Sequence, residues 1–262
     1  MPDTEVDFTG TSRDRWTFPG VFCGTAGWHL TEASAESMVW VGQFGGEMTL
    51  SRQHVPGRTT EPVDLEETRR AHREYWGKEG AGLVSVETIA TASGATSLEV
   101  ITKRAHGSGF DFGAQLIIDE GADHYYFQIG CAEGTTGVKE AVINALRIQL
   151  GDVEMIGMLL APGEATSTRA VPGMKLDPYD AAFDADATYS IADDPRLDEV
   201  FQTHPLAVIR STFRRVRATW ECSATAGAPR HAIPSSTGPR LLLDNDVLQE
   251  LLRIANEARA NH

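Results

Sequence analysis

Between Phe110 and Leu150 the chain alternates apolar and polar positions twice and then changes period. Phe110, Phe112, Ala114, Leu116 and Ile118 share one face of an extended segment, and Tyr125, Phe127, Ile129 and Cys131 share one face of the next. The intervening Asp119-Glu120-Gly121-Ala122-Asp123 has the turn chemistry of a hairpin, with Gly121 free to take positive φ, so the two strands should pair antiparallel. Beyond Glu133-Gly134-Thr135-Thr136-Gly137 the period becomes helical. Val138, Ala141, Val142, Ala145 and Leu146 form one stripe, which predicts a helix packed on the sheet.

The same reading extends to the rest of the chain. Residues 1–20 carry no sustained period and read as a loose arm. Met38 to Gln43 and Glu47 to Ser51 read as a hairpin joined at Gly45-Gly46. Asp64, with Glu67 three residues on, has the pattern of a capping box and starts a helix that Gly77 and Gly80 stop. Leu65, Thr68, His72, Tyr75 and Trp76 share its semi-apolar face, and Glu66, Arg69, Arg70 and Arg73 are expected in water. Leu83 to Ala92 and Leu98 to Arg104 are strands about a Ser93-Gly94 turn, which completes a four-strand meander with the Phe110 hairpin. Val153 to Leu160 is a further apolar run of strand length. Between Asp177 and Glu199 eight acidic residues stand against Arg196 alone, an acidic connector. Thr203-His204-Pro205 opens a second helix, in which Leu206, Ile209, Phe213, Val216 and Trp220 make a continuous seam.

The expected fold is therefore α+β: an antiparallel meander flanked by helices in an α/β/α sandwich over residues 21–222. A Gly/Ser/Pro-rich linker, 223–243, and an amphipathic helix, 244–262, follow. In that last helix Leu248, Leu251 and Leu252 lie on an apolar stripe with Val247. It can fold back on its own domain, pair with a second copy in a homodimer, or dock in a groove of another protein.

Charge narrows the partners. With 262 residues and a formal net charge of -14, the chain lacks the basic surface that nucleic acid or an anionic membrane requires. Cys23, Cys131 and Cys222 are odd in number and widely spaced, which suggests neither a disulfide framework nor a thiolate metal site and fits a reducing, cytoplasmic setting. No run approaches a membrane span.

The order Gly27-Trp28, hairpin, Thr49-Leu50-Ser51-Arg52, Pro-containing loop, helix from Asp64, meander and following helix resembles the PsbP and Mog-type family over residues 20 to 222. DcrB-like proteins and small secretion-effector chaperones carry the same domain. The resemblance implies an α/β/α sandwich and binding without catalysis: a Ran-binding factor, a photosystem subunit, chaperones of secreted effectors. Gly134-Thr-Thr-Gly-Val-Lys-Glu-Ala and Phe201-Gln-Thr-His-Pro-Leu-Ala-Val-Ile-Arg also resemble motifs of uncharacterised, chiefly actinobacterial, proteins. The acidic connector and C-terminal helix depart from the family, so no functional residue and no particular partner carries over.

Candidate chemistry is sparse. The Gly134 to Lys139 turn sits where a strand enters a helix, yet a P-loop requires Gly where Ala132 stands and an adjacent Gly-Lys pair that Val138 interrupts. The eight histidines show no short ligand spacing, so no metal and no cofactor is expected. Cys131 in an apolar alternating position should be an inert core thiol. Glu133, His124 and His204 are the polar groups that a small-ligand pocket or enzyme site beside the sheet would use. Arg210, Arg214 and Arg217 recur on one helix face and either pair with the acidic connector or grip an acidic partner surface. Together with Leu248, Leu251 and Leu252 they are the expected partner-binding residues of a non-enzymatic adaptor or chaperone-like protein. Its acidity would also suit an immunity protein with a basic toxin partner.

Overall fold

The computed structural model describes residues 15–18, 21–24, 27–34, 37–42, 45–54, 63–106, 109–133, 139, 178–179, 189–222, 249–250 and 253. The expected helix from Val138, the run Val153 to Leu160 and Leu248, Leu251 and Leu252 lie outside them.

Ten strands and two long helices are described: β1 (Arg15–Phe18), β2 (Val21–Gly24), β3 (Trp28–Ala33), β4 (Ser37–Gly42), β5 (Glu47–His54), α1 (Leu65–Lys78), β6 (Ala81–Ala90), β7 (Thr96–His106), β8 (Gly109–Glu120), β9 (Asp123–Ala132), α2 (Pro205–Thr219) and β10 (Glu221–Cys222). Seven strands form an antiparallel sheet in the order β3-β4-β5-β9-β8-β7-β6, and β1, β2 and β10 form a second, small one. The chain is α+β, and β6 to β9 are the expected meander. Part of the segment expected to be a loose arm is a strand: Arg15–Phe18 pairs with Val21–Gly24.

The β8–β9 turn is tighter than the sequence suggests. Glu120 pairs directly with Asp123, leaving Gly121 and Ala122 at the tip, with Gly121 at φ 75°.

Local signals set the helix starts. Asp64 accepts the Glu67 N–H at 3.0 Å, and His204 Nδ1 accepts the Leu206 N–H at 3.2 Å beside a first-turn proline. The α2 seam Leu206, Ile209, Phe213, Val216 and Trp220 is wholly buried against Phe112, Leu116, Ile118, Tyr125, Phe127 and Ile129. Trp220 meets Tyr125 and Phe127 edge-on, and its indole N–H donates to Glu120 at 2.8 Å.

Helix α1 packs on β6 through Leu65 and Trp76 against Leu83, Val86 and Val100. Val100 belongs to that cluster and the next residue, Ile101, to the α2 cluster, so the two helices cover opposite faces of the sheet. Two α1 residues depart from expectation: Arg69 is 2 % exposed and Tyr75 60 % exposed. The Arg69 guanidinium donates to the Val86 carbonyl at 3.3 Å, approaches Glu87 at 3.6 Å and stacks 3.7 Å from the Tyr179 ring, a long-range environment that helical spacing cannot show. The Tyr179 hydroxyl accepts the Val86 N–H at 2.7 Å, which occupies a backbone donor on edge strand β6.

Candidate functional site

On the α2 side the sheet closes over charged groups. Lys103, on the same face of β7 as Ile101, is 1 % exposed. Its ammonium lies 3.0 and 3.2 Å from the Asp193 carboxylate and 4.1 Å above the Phe110 ring. Asp193 also accepts the Ser190 N–H at 2.8 Å. Burial raises its carboxyl, but Lys103, Lys139 and that hydrogen bond outweigh burial and hold it below the ordinary carboxylate range. Arg210 donates to Asp198 at 3.0 Å and to the Asp193 carbonyl at 2.7 Å. Burial nevertheless leaves Asp198 above its usual value. Lys139 is buried with no hydrogen-bond acceptor among the described residues, and desolvation lowers its pKa to about 8.

His204 and Glu133, two of the three polar groups expected in a small-ligand pocket, meet here at 3.5 Å. Because His204 Nδ1 accepts the Leu206 N–H, its proton sits on Nε2 facing Glu133. Burial, with help from Lys139, lowers its pKa to about 3, so the ring is neutral. His124, the third, stands at the other end of β9, roughly 30 Å away along the strand by strand rise. The cluster thus ties α2 and the 190–198 segment to the sheet through ion pairs, with both His204 nitrogens engaged. Burial pushes the Cys131 thiol up to about 11, as suits an inert thiol.

The arginines expected on one partner-gripping stripe separate. Arg210 is buried on Asp198, inside rather than in solvent, and Arg217 reaches not the acidic connector but Glu99 of β7. Arg214 alone of the three faces solvent. The cause is register: Arg210 and Arg217 flank the apolar seam closely enough for their long stems to reach carboxylates beneath the helix.

The opposite face differs. Across it, one row of cross-strand partners runs Thr49, Gln128, Gln115, Val100, Val86 from β5 to β6, and the row beside it runs Glu47, Gly130, Gly113, Thr102, Leu83. The two central positions of the second row have no side chain. With rows ~7 Å apart and strands ~4.8 Å apart, this leaves a trough crossing the strands. A Cβ built on Gly130 would meet nothing within 4 Å. Two adjoining hollows of about 320 and 470 Å³ fill the trough and share Glu47, Trp76, Thr102, Gly113 and Gly130. Trp76 walls it from α1, and its indole N–H has no acceptor among the described residues. Gln115 and Gln128 flank one side, and Asp111 with Arg104, paired at 3.3 Å, the other.

Of the residues weighed from sequence, Trp76 and Cys131 line this trough, whereas His124, Glu133, His204, Arg210, Arg214 and Arg217 do not. The signal that points to it is a pair of glycines at outward-facing strand positions, where a side chain would otherwise be packed or solvated.

No family model and no curated protein matches the chain. Among solved structures, a protein of Bacteroides thetaiotaomicron aligns with 47% of this chain and 43% of its own at 10% identity, with a TM-score of 0.32. The alignment spans less than half of that protein, and a likeness this slight carries no argument.

Proposed function

We propose that the chain is a non-catalytic, protein-binding adaptor of chaperone-like kind, an α/β/α sandwich that recognises a segment of another protein in the trough on the α1 side of its sheet. The observation that carries this reading is the Gly113–Gly130 floor: a hollow walled by an indole, two side-chain amides and carboxylates, in the middle of the sheet. Aromatic and amide groups around a concave surface supply contact area and adaptable hydrogen bonding. The charged cluster under α2 supports the same reading from the other side. Lys103 and Arg210 face carboxylates, which suits a clamp rather than a catalyst. Among the described residues no helix is long and apolar enough to cross a membrane.

A second reading, small-ligand binding, has its own support in a cleft of about 170 Å³ between α2 and the β3–β5 strand ends. Trp28, Gly42, Gly46 and Cys131 wall it, and Gln202 and Arg215 lie at its edge.

The adaptor reading is tested with a photoreactive amino acid placed at Gln128 in the trough or at Arg214 on α2, each in the full chain expressed in its native cells. Crosslinking of one protein from position 128 and not from 214 is the expected result. Crosslinking from 214 alone moves recognition to α2, and none from either position contradicts the proposal.

A further inference from the structure

The charge around the trough says what kind of segment fits it. Glu47 stands at one end of the glycine row, and Glu79 lies beside Trp76 at the α1 end. Neither has a cationic partner among the described residues, whereas Arg104, the cation that lines the same hollow, is paired with Asp111. Asp111 also takes His106 at 3.1 Å. The unpaired charges at the trough are therefore two exposed carboxylates, on a chain whose formal net charge is already -14, which favours a cationic partner.

Shape adds a second constraint. From Glu47 on β5 to Thr102 on β7 the row crosses three strand intervals, ~14 Å, and over the two glycines the floor is bare backbone. A narrow channel with a side-chain-free floor, an indole on one wall and a carboxylate at its end suits a long aliphatic stem with a cationic head, the form of a lysine or arginine side chain.

The third constraint separates a protein segment from a free polyamine. Among the described residues the Trp76 N–H has no acceptor, and the Gln115 and Gln128 amides lining the hollow each present both a donor and an acceptor. A peptide brings carbonyls and N–H groups to satisfy them; a polyamine brings donors alone.

Taking the trough as the recognition surface, we infer that its occupant is a basic segment of the partner protein, with one lysine or arginine side chain lying along the Gly113–Gly130 floor and its cationic head at Glu47. Trp76 then covers the stem, and the segment's backbone meets the glutamine amides.

The test uses the full chain and fluorescence anisotropy of a labelled alternating serine–lysine peptide, with the same peptide carrying norleucine in place of lysine. The lysine peptide is expected to bind at least tenfold tighter than the norleucine peptide. Glu47→Gln should weaken it about tenfold, and Gly130→Val, which leaves every charge in place but fills the floor, should abolish binding. Spermidine should fail to compete at equal charge concentration. Equal binding of the two peptides, or unchanged binding by Gly130→Val, overturns the inference while leaving the adaptor reading to the crosslink from position 128. Displacement by spermidine reassigns the site to a free amine and overturns the protein source. If neither peptide binds, the basic-segment inference fails, and a crosslink from position 128 would show that the trough still recognises a protein of other chemistry.

Discussion

The two faces of the seven-stranded sheet are written by the same residues in alternation, yet they do opposite things. Strand β8 turns Phe112, Ala114, Leu116 and Ile118 toward α2, where all are buried, and Asp111, Gly113, Gln115 and Ile117 to the other side, where all are half-buried. Strand β9 does likewise with Tyr125, Phe127 and Ile129 against Tyr126, Gln128 and Gly130. On the α2 face every large group is packed, down to ion pairs sealed beneath the helix. On the α1 face the helix covers β6 and leaves the middle of the sheet hollow. The contrast separates stability from recognition: one face is covered by its helix and spent on holding the fold, and the other keeps an open hollow whose indole and amide groups a partner can use.

Substitution on the packed face should therefore cost the most. Phe213→Ala removes a fully buried ring from the centre of the α2 seam, and a loss of about 3–5 kcal/mol is expected in urea denaturation. A loss under about 1 kcal/mol would mean that α2 is not the core helix described.

Acid probes the same face through its titrating groups. His204 is neutral when folded, with a pKa of about 3, whereas the unfolded chain takes up the proton near 6.5. Between those values the unfolded state binds more protons, so stability falls as pH falls, by about 2 kcal/mol on going from neutrality to pH ~5. The depressed Asp193 adds to the loss in the same direction at lower pH, because its stabilisation is present above the ordinary carboxylate value and lost below it. His204→Asn keeps a capping acceptor for the Leu206 N–H and cannot titrate. Between pH 7 and ~5 it should lose less stability than the wild type, read from urea midpoints, the remaining loss including that of His72, whose pKa burial also lowers. An unchanged pH dependence in the variant would assign the effect to another group.

Much of the helical framework on both faces is legible from sequence because its determinants are local or periodic. Asp64 caps α1 from three residues away, and the α2 seam recurs at helical spacing. The trough is not, because it depends on register. Taking all of Asp119 to Asp123 as the turn pairs Ile118 with His124 and sets Gly113 opposite Ile129. The tighter turn, Glu120 on Asp123, slips the pairing by one residue and sets Gly113 opposite Gly130. Arg69 and Arg217 elude the pattern for a related reason: each is drawn to a carboxylate on a distant strand, Glu87 and Glu99, whereas the Arg210 pair with Asp198 is one the sequence already offered through the acidic connector.

The least destabilising change should be the most damaging to recognition. Gly130→Val adds a side chain where a Cβ meets nothing within 4 Å, so stability should stay within about 0.5 kcal/mol of the wild type. The measurement is made on one preparation: the urea midpoint of the variant together with capture of the protein that crosslinks from position 128. An unchanged midpoint with capture lost is the expected outcome. Capture undiminished in a fully folded Gly130→Val chain would contradict recognition through the trough.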